Sequence, residues 1–233
     1  MFLKSLATAL AASLAAVTLA AACGGGTVAG REKVVLVEGD AFQGQADAKV
    51  TLIEYGSPTC PVCKDWHDAY WAEVKRDYID TGKIKFVFRE FAVHGAIDGA
   101  IFSVARCAGK EDFFGVIDEA FANQNKLVAA ANSGDAMPEL RALGAKFNLS
   151  EAQVNTCVDE PANIRRVNDV GTDALQKGIN GTPTFVVNGV KIADSAWPAV
   201  KIAVDAALAG GDVPAQPAAP AGDDHEHAPG ESH

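Results

Sequence analysis

The sequence predicts an α/β fold in which an all-helical domain is inserted between two parts that contain the strands. Three observations support this prediction. A strand, a helix and a second strand follow one another within residues 46–97, helical periodicity fills residues 98–166, and a hairpin followed by a helix lies within residues 167–209. The first and third segments are therefore expected to fold together as one α/β domain.

The first α/β part begins and ends with strand patterns. Residues 50–55 are apolar and rich in β-branched side chains, as is typical of a central strand, and residues 83–91 alternate well enough to form a second strand. Between them, apolar residues recur every three or four positions over residues 62–78, which predicts an amphipathic helix that starts near Cys60. Residues 33–37 predict one further short strand ahead of this part.

The helical insertion and the second α/β part follow. Residues 98–166 show helical patterns interrupted by turn residues, and residues 150–153 have the spacing of a capping box. Residues 184–192 read as two short strands around Asn-Gly, the dipeptide typical of a two-residue hairpin. A closing helix is expected over residues 195–208.

The composition is that of a globular protein. The chain has 233 residues, of which 48% are apolar and 21% charged, so it can bury a core without a scaffold of disulfides. The formal net charge is −10 and the sequence pI is about 4.9. Because nucleic-acid binding needs a basic surface, nucleic acid is not an expected partner.

Residues 1–22 have the form of a signal peptide. Lys4 supplies a positive charge, and a run rich in alanine and leucine follows it. A transmembrane anchor is the alternative, since the run is just long enough to span a bilayer, but its high alanine content makes it weakly hydrophobic. We therefore predict export to the periplasm or cell envelope of a bacterium.

Cys23 follows this run directly and stands before three glycines. Ordinary cleavage here would leave an exposed thiol in an oxidising compartment, whereas lipidation of Cys23 would block that thiol. Residues 20–23 resemble a bacterial lipoprotein box, with the departure that Leu19 lies one position further upstream than the usual leucine. On this interpretation residues 23–45 form a glycine-rich tether and linker behind a lipid anchor.

Cys60 and Cys63 stand two residues apart at the start of the first predicted helix. The unpaired N–H groups and the positive dipole end of a helix N-terminus stabilise a thiolate, so the pKa of Cys60 is expected to be low. Cys63 lies one turn later within disulfide reach, and Pro61 suits a first helical position. We predict a redox pair in which Cys60 reacts with substrate and Cys63 resolves the mixed disulfide.

Two other interpretations of this cysteine pair are less favoured. A metal site would need further ligands at close spacing, whereas Cys107 and Cys157 occur singly, and a structural disulfide across so short a loop would restrain little chain entropy. The predicted site therefore has no metal and no cofactor. Residues 210–233 are rich in Pro, Ala, Gly and Asp and are expected to be a disordered tail rather than a Zn²⁺ or Cu²⁺ site.

Two motifs and the helical insertion together resemble the DsbA-like branch of the thioredoxin superfamily. Residues 54–63 (EYGSPTCPVC) carry the two cysteines, and residues 181–189 (GTPTFVVNG) carry a Thr-Pro pair and the hairpin turn. The resemblance runs from about residue 46 to residue 208. It implies a thioredoxin fold with an inserted all-helical domain and the activity of a protein thiol-disulfide oxidoreductase.

The resemblance also assigns residues to a substrate-binding surface. It implies that Pro183 is a cis-proline packed beside the two sulfurs. The backbone of Thr182 would then pair with an extended substrate chain, a form of strand addition. Pro61 and Val62, which separate the two cysteines, are expected to contact the same chain.

The resemblance further marks Glu54 as a buried acid and Lys85 as its partner near Cys63. Their implied role is to move protons when the resolving thiol reacts. A half-exposed strand residue without such a role is the alternative for Glu54. His67 is expected to point outward on the first helix, and His94 to lie in a surface loop.

Cys107 and Cys157 both lie at predicted helix ends within the insertion. In an exported protein a structural disulfide between them is the favoured interpretation, and some DsbA-like relatives carry such a second bridge. Two buried free thiols are the alternative.

The sequence departs from DsbA itself at two positions beside the predicted site. Val62 stands where DsbA has histidine and contributes no positive charge near the thiolate, and Thr182 stands where DsbA has valine. We therefore predict a weaker oxidant than DsbA.

The predicted function is thiol-disulfide exchange with cysteine-containing exported proteins, with disulfide formation as the favoured direction. The resemblance implies reoxidation by a membrane partner of the DsbB type. A disulfide isomerase or reductase kept reduced by another system is one alternative. A periplasmic metal-handling or substrate-holding protein, which belongs to a different class, is another.

Overall fold

Five strands form one mixed sheet in the computed structural model, which describes residues 33–214. The strands are β1 (Ala41–Gly44), β2 (Val50–Gly56), β3 (Ile84–Glu90), β4 (Thr184–Val187) and β5 (Val190–Lys191). They lie in the order β1-β3-β2-β4-β5. β2 and β3 run parallel, and every other neighbouring pair is antiparallel.

Helices connect and cover these strands. α1 (Pro61–Val74) follows β2 and continues into a π-helical turn, Lys75–Ile79, before β3. The insertion between β3 and β4 consists entirely of helices. Its helices are α2 (Ala96–Ala108), α3 (Phe113–Ala122), α4 (Gln124–Asn132), α5 (Met137–Ala145), α6 (Glu151–Val158) and α7 (Pro161–Gln176), and α8 (Trp197–Leu208) follows β5.

The predicted α/β class with a helical insertion is confirmed. The strands predicted at residues 50–55 and 83–91 agree with β2 and β3 to within one residue at each end. The predicted hairpin corresponds to β4 and β5, and its turn residues Asn188 and Gly189 have φ of 46° and 86°. Both φ values are positive, which explains the Asn-Gly dipeptide at this turn.

The structure differs from the sequence prediction around the first strand and at the end of the insertion. β1 lies inside residues 23–45, predicted as tether and linker, while residues 33–37, predicted as a strand, are irregular. β1 is a strand because it pairs along its whole length with β3; four residues alone give too short a pattern to recognise. α7 continues through the predicted boundary at residue 166.

Alternate residues of the central strands face two different cores. Leu52 and Phe86 belong to the larger core, which includes residues of α1, α8 and the helical insertion. Ile53 and Val87 belong to a second core, which includes residues of α7. Because successive side chains of a strand point to opposite faces, each position on β2 or β3 is committed to one core.

Buried ion pairs hold residues 35–40 and helix α7 against the sheet. Arg89 of β3 is 1% exposed. It donates from Nε to Asp40 Oδ1 at 3.1 Å, from Nη1 to the Tyr55 hydroxyl at 2.7 Å, and from Nη2 to the Val35 carbonyl at 3.0 Å. Arg166 of α7 also donates to Asp40, at 2.7 Å. The buried carboxylate thus joins the sheet to α7.

Removing the Arg89 guanidinium is expected to destabilise the fold. In Arg89→Met the buried Asp40 carboxylate keeps Arg166 but loses its other ion pair, so we expect a loss of about 3 kcal/mol, at the lower end for a broken buried pair. Urea unfolding measures this loss. Arg76→Met is the control, since the Arg76–Asp77 pair is exposed; equal effects of the two substitutions would contradict the assignment.

Residues 1–32 and 215–233 lie outside the described part of the chain. The predicted signal peptide, Cys23, the glycines behind it and most of the predicted tail fall there. Among residues 33–214, no helix has the length and apolar character needed to cross a membrane.

Candidate active site

A turn after β2 places Cys60 at the N-terminus of α1. Cys60 is the N-cap residue in an extended conformation, and Pro61 occupies the first turn. The Cys60 N–H donates to the Ser57 carbonyl at 3.1 Å, and its carbonyl accepts from the Lys64 N–H at 3.1 Å. Cys60 is 6% exposed and Cys63 is 0% exposed, and both are free thiols. The predicted helix start is therefore found where expected.

The surroundings change the pKa values of the two thiols in opposite directions. The pKa of Cys60 falls to about 5, first because the Cys63 thiol donates a hydrogen bond to its sulfur. The Thr182 side chain and the backbone N–H groups of Cys63 and Val62 lower it further, against the effect of burial. The pKa of Cys63 is raised, first by burial, then by its hydrogen bond to Cys60 and the charge of Glu54. At neutral pH the dithiol site holds a Cys60 thiolate beside a Cys63 thiol.

The loop before β4 lies against the same sulfur. The peptide bond between Thr182 and Pro183 is cis, and Pro183 is buried. The Thr182 carbonyl oxygen lies 3.5 Å from Cys60 Sγ. Pro61 and Val62 are exposed, with Val62 at 57%. The structure thus brings residues 182–183 to the reactive sulfur across 122 residues of sequence.

A buried carboxylate holds the turn that precedes Cys60. Asp98, 0% exposed at the start of α2, accepts hydrogen bonds from Ser57 Oγ at 2.8 Å and Thr59 Oγ1 at 2.6 Å. Its other oxygen accepts from the backbone N–H groups of Val93 and His94, at 2.9 and 2.8 Å. Asp98 therefore ties the active-site turn to the loop after β3. No sequence pattern marks Asp98 for this role.

Two further polar side chains contact the active-site turn. Gln124 of α4 is buried and donates from Nε2 to the carbonyls of Pro58 and Cys60, at 3.0 Å each. His94, predicted to lie in a surface loop, is exposed, but its Nδ1 lies 2.8 Å from Thr59 Oγ1. These contacts connect the helical insertion directly to the residues around the reactive cysteine.

An open cleft lies beside Cys60, between the active-site turn and the helical insertion. Its volume is about 550 Å³. Thr59 and Pro61 line one side, and residues of α4, including Gln124 and Val128, line the other. The cleft mixes apolar and amide side chains and is large enough to hold a short stretch of polypeptide beside the reactive sulfur.

Glu54 is buried, but its partner is not the predicted lysine. Glu54 is 0% exposed, and its Oε2 lies 2.9 Å from Nε2 of His67 on α1. Lys85 is paired in register with Thr51, and its Nζ lies 5.2 Å from the ring centroid of Phe42. Phe86 pairs with Leu52, which lies on the same face of β2 as Glu54. Lys85 is the neighbour of Phe86 along β3, so its side chain faces the opposite side of the sheet from Glu54. The expected Glu54–Lys85 pair is therefore wrong.

The expectation that His67 points outward is also wrong. His67 is 8% exposed and packs between aromatic rings, with centroid distances of 4.6 Å to Phe121 and 5.1 Å to Trp71. It lies four residues after Cys63 and so shares the buried face of α1 with that thiol. The acid near the resolving cysteine therefore has a histidine as its partner.

Cys107 and Cys157 form a disulfide in the structure, with an S–S distance of 2.01 Å. The bridge joins the C-terminal ends of α2 and α6 within the insertion. Within residues 33–214 the structure contains no group of three or more His, Cys, Asp or Glu side chains arranged to hold a metal ion.

A thioredoxin family model matches residues 36–206 of the chain. A provisionally named protein-disulfide oxidoreductase of Rickettsia bellii (strain RML369-C) is 30% identical over 174 residues, which cover 73% of this chain and 65% of the relative. One of Rickettsia conorii (strain ATCC VR-613 / Malish 7) is 32% identical over 174 residues, covering 73% and 61%. The chain thus spans less than two thirds of these relatives' length.

Two solved structures are similar in fold. The crystal structure of Wolbachia pipientis alpha-DsbA1 matches with a TM-score of 0.69 and 24% identity, covering 76% of this chain and 94% of that one. The structure of oxidised BdbD from Bacillus subtilis matches with a TM-score of 0.67 and 20% identity, covering 77% and 98%. The predicted thioredoxin fold with added helices is confirmed.

Proposed function

The chain belongs to the thioredoxin family, and we propose that it is a thiol-disulfide oxidoreductase of the DsbA-like branch that forms disulfides in exported proteins. One observation carries the proposal. Cys60 stands at the N-terminus of α1 with a pKa near 5, next to a buried thiol of raised pKa. A sulfur that is stable as a thiolate is a good leaving group when it is bonded to its neighbour.

The reaction begins with the Cys60–Cys63 disulfide. A substrate thiolate attacks Cys60, a mixed disulfide forms between substrate and Cys60, and the bond to Cys63 breaks. A second thiolate of the substrate then attacks the substrate sulfur of this mixed disulfide and releases the Cys60 thiolate. The substrate gains a disulfide, and the protein is left with two reduced cysteines.

Substrate binding uses the surface around Cys60. The backbone of Thr182 lies beside the reactive sulfur, which supports the proposal that it pairs with an extended substrate chain. Pro61 and Val62 are exposed at the start of α1 and would contact the same chain. The adjacent cleft, lined by Gln124 and Val128, offers space for the residues next to the reacting cysteine.

Cysteine-containing exported proteins are the proposed substrates, and a membrane oxidase of the DsbB type is the proposed source of new disulfides. Relatives include a protein of Bacillus cereus (strain ATCC 14579) named probable disulfide bond formation protein D, 26% identical over 171 residues. Residues 1–22 support export as a signal peptide. Lipidation of Cys23 would attach the protein to the bacterial cell envelope.

Equilibration with glutathione tests this function. The two cysteines are expected to exchange with glutathione and to give a reduction potential above the roughly −270 mV of thioredoxin and below the roughly −120 mV of DsbA. The first limit follows from the low pKa of Cys60, and the second from the apolar Val62 beside it.

Val62→His is the matched variant for this measurement. A cationic imidazole near the Cys60 thiolate is expected to stabilise the reduced form and to raise the potential. If the reduction potential of the unaltered protein equals that of DsbA, the prediction that this protein is a weaker oxidant than DsbA is wrong. Failure of the two cysteines to form a disulfide in any glutathione mixture would contradict the proposed function itself.

A further inference from the structure

A chain of hydrogen bonds fixes the imidazole of His94 at the active-site cleft. The chain starts at Asp98, whose Oδ1 accepts from the hydroxyls of Ser57 and Thr59, at 2.8 and 2.6 Å. Its Oδ2 accepts from the backbone N–H groups of Val93 and His94, at 2.9 and 2.8 Å. Four donors suit the ionised carboxylate, which only accepts, so the hydrogens of both hydroxyls are used on Asp98.

The tautomer of His94 follows from this arrangement. The Thr59 hydrogen is used on Asp98, so Thr59 Oγ1 accepts from His94 Nδ1, 2.8 Å away. In the neutral imidazole the hydrogen then lies on Nδ1, and Nε2 is left as an acceptor. His94 is exposed and lines the cleft, and no group of residues 33–214 donates to its Nε2. The cleft therefore has one acceptor whose direction is fixed.

Gln124 of α4 lines the same cleft, and its amide is fixed in the same way. Its Nε2 donates to the carbonyls of Pro58 and Cys60, at 3.0 Å each. Carbonyl oxygens only accept, so both amide hydrogens are used on the active-site turn. Within the described residues 33–214 no donor reaches Gln124 Oε1. This oxygen is a second acceptor at the cleft.

The cleft carries no fixed charge. Although 21% of the chain is charged, none of the described residues that line the cleft is Asp, Glu, Lys or Arg. Most of the other lining residues are small or apolar, with two exposed amides, Asn125 and Asn132. A charged group entering the cleft would lose water without gaining an opposite charge. The uncharged donor that a polypeptide offers at every residue except proline is its backbone N–H.

We propose that His94 is a specificity-determining residue whose Nε2 accepts a hydrogen bond from a backbone N–H of the substrate, on an uncharged segment next to the reacting cysteine. Gln124 Oε1 accepts a second hydrogen bond from the same segment. This inference rests on the proposed function. It deepens that function by naming what the cleft recognises, which is a stretch of substrate chain without charges and without proline at the bonded position.

Fixed acceptors make this recognition favourable. Both acceptors are held by hydrogen bonds at the other end of their side chains, so neither side chain loses much conformational freedom when substrate binds. Recognition of the backbone also leaves the side chains of the substrate largely unread. A protein that exchanges disulfides with many exported proteins can therefore use the same two acceptors for all of them.

Reduction of the Cys60–Cys63 disulfide by a peptide tests the proposal. The probe is an alanine-based peptide with two cysteines, whose two thiols are oxidised to a disulfide while the protein gains two thiols. Single-turnover measurements at increasing peptide concentration give a limiting rate and a half-saturation concentration. A series of the same peptide, with one backbone nitrogen methylated at a time, lacks one N–H in each member.

His94→Asn removes the proposed acceptor and keeps the bond to Thr59. The Asn amide nitrogen can replace Nδ1 as donor to Thr59 Oγ1, and nothing replaces Nε2. We expect the half-saturation concentration to rise about 5-fold, the effect of one neutral hydrogen bond, with no change in limiting rate. Lys126→Ala is the control, since Lys126 lies on α4 and does not line the cleft, and we expect it to match the unaltered protein.

The methylated peptides identify the bond itself. At one position, methylation is expected to weaken binding to the unaltered protein about 5-fold more than binding to His94→Asn. Equal effects on the two proteins at every position would overturn the proposal. A loss of the same size when His94→Asn reacts with dithiothreitol, which is too small to fill the cleft, would also overturn it, because His94 would then act on Cys60 rather than on the substrate.

The unaltered protein alone covers the case in which His94→Asn does not fold. At least one methylated peptide is expected to bind it more weakly than the parent peptide, and equal binding of the whole series would overturn the proposal. If the parent peptide does not reduce the Cys60–Cys63 disulfide at all, the proposed function fails. That outcome is distinct from reduction that proceeds without any dependence on His94.

Discussion

Replacing Cys63 with alanine is expected to leave the protein covalently joined to its substrates through Cys60. Cys63→Ala cannot form the Cys60–Cys63 disulfide, but its Cys60 thiolate can still attack a disulfide of an exported protein, which forms a mixed disulfide and releases one substrate thiolate. Cys63, the neighbouring thiol that would attack this mixed disulfide from within the protein, is absent. Cys63 lies within α1, and alanine removes its sulfur while keeping a good helix former at that position. Turnover should be lost, and Cys60 adducts with exported proteins should accumulate in cells.

Non-reducing electrophoresis of cell extracts, with thiols blocked on lysis, detects these adducts as bands that disappear on reduction. Cys60→Ala/Cys63→Ala is the control, because it differs from Cys63→Ala only in lacking the attacking Cys60 sulfur. Adducts that persist in this double variant would show that another thiol captures the substrates. Absence of adducts in Cys63→Ala would count against Cys60 as the residue that meets substrate.

The sequence was sufficient where local patterns set the structure. β2, β3 and the hairpin of β4 and β5 follow from apolar alternation and the Asn-Gly turn. The start of α1 follows from Pro61 next to Cys60. β1 was not predicted. Its four residues form a strand because they pair with β3, and this pairing cannot be recognised from the sequence of the four residues themselves.

The position of Lys85 follows from strand alternation once the register of β2 and β3 is known. Glu54 shares a face with Leu52, Leu52 pairs with Phe86, and Lys85 lies one position before Phe86, so the acid and the lysine lie on opposite faces. The correct partner was also marked in the sequence. His67 follows Cys63 by four residues, the spacing that puts two side chains on one face of a helix.

The contacts of Asp98 and Gln124 could not be derived from the sequence. Asp98 is 41 residues from Ser57, and Gln124 is 64 residues from Cys60. Both belong to the helical insertion, and their partners are set by how that insertion packs against the active-site turn. A buried carboxylate or amide at a helix start carries no sequence pattern that names a partner so far away.

The central claim is that the fold makes Cys60 an unusually acidic thiol. Its causes are the hydrogen bond from Cys63, the Thr182 side chain and the backbone N–H groups at the start of α1. Because the pKa of Cys60 is lower in the folded dithiol form than in the unfolded chain, this contribution to stability is complete above the unfolded-state pKa of about 8.5 and is lost as the pH falls through about 5.

The pH dependence of Cys60 alkylation tests this claim most directly. Iodoacetamide reacts with the thiolate, Cys63 is buried, and mass spectrometry of the product identifies the modified residue. We predict a rate that is constant from neutral pH down to about pH 6 and that falls with a midpoint near 5. A midpoint near 8.5, the value of an ordinary cysteine, would contradict the account.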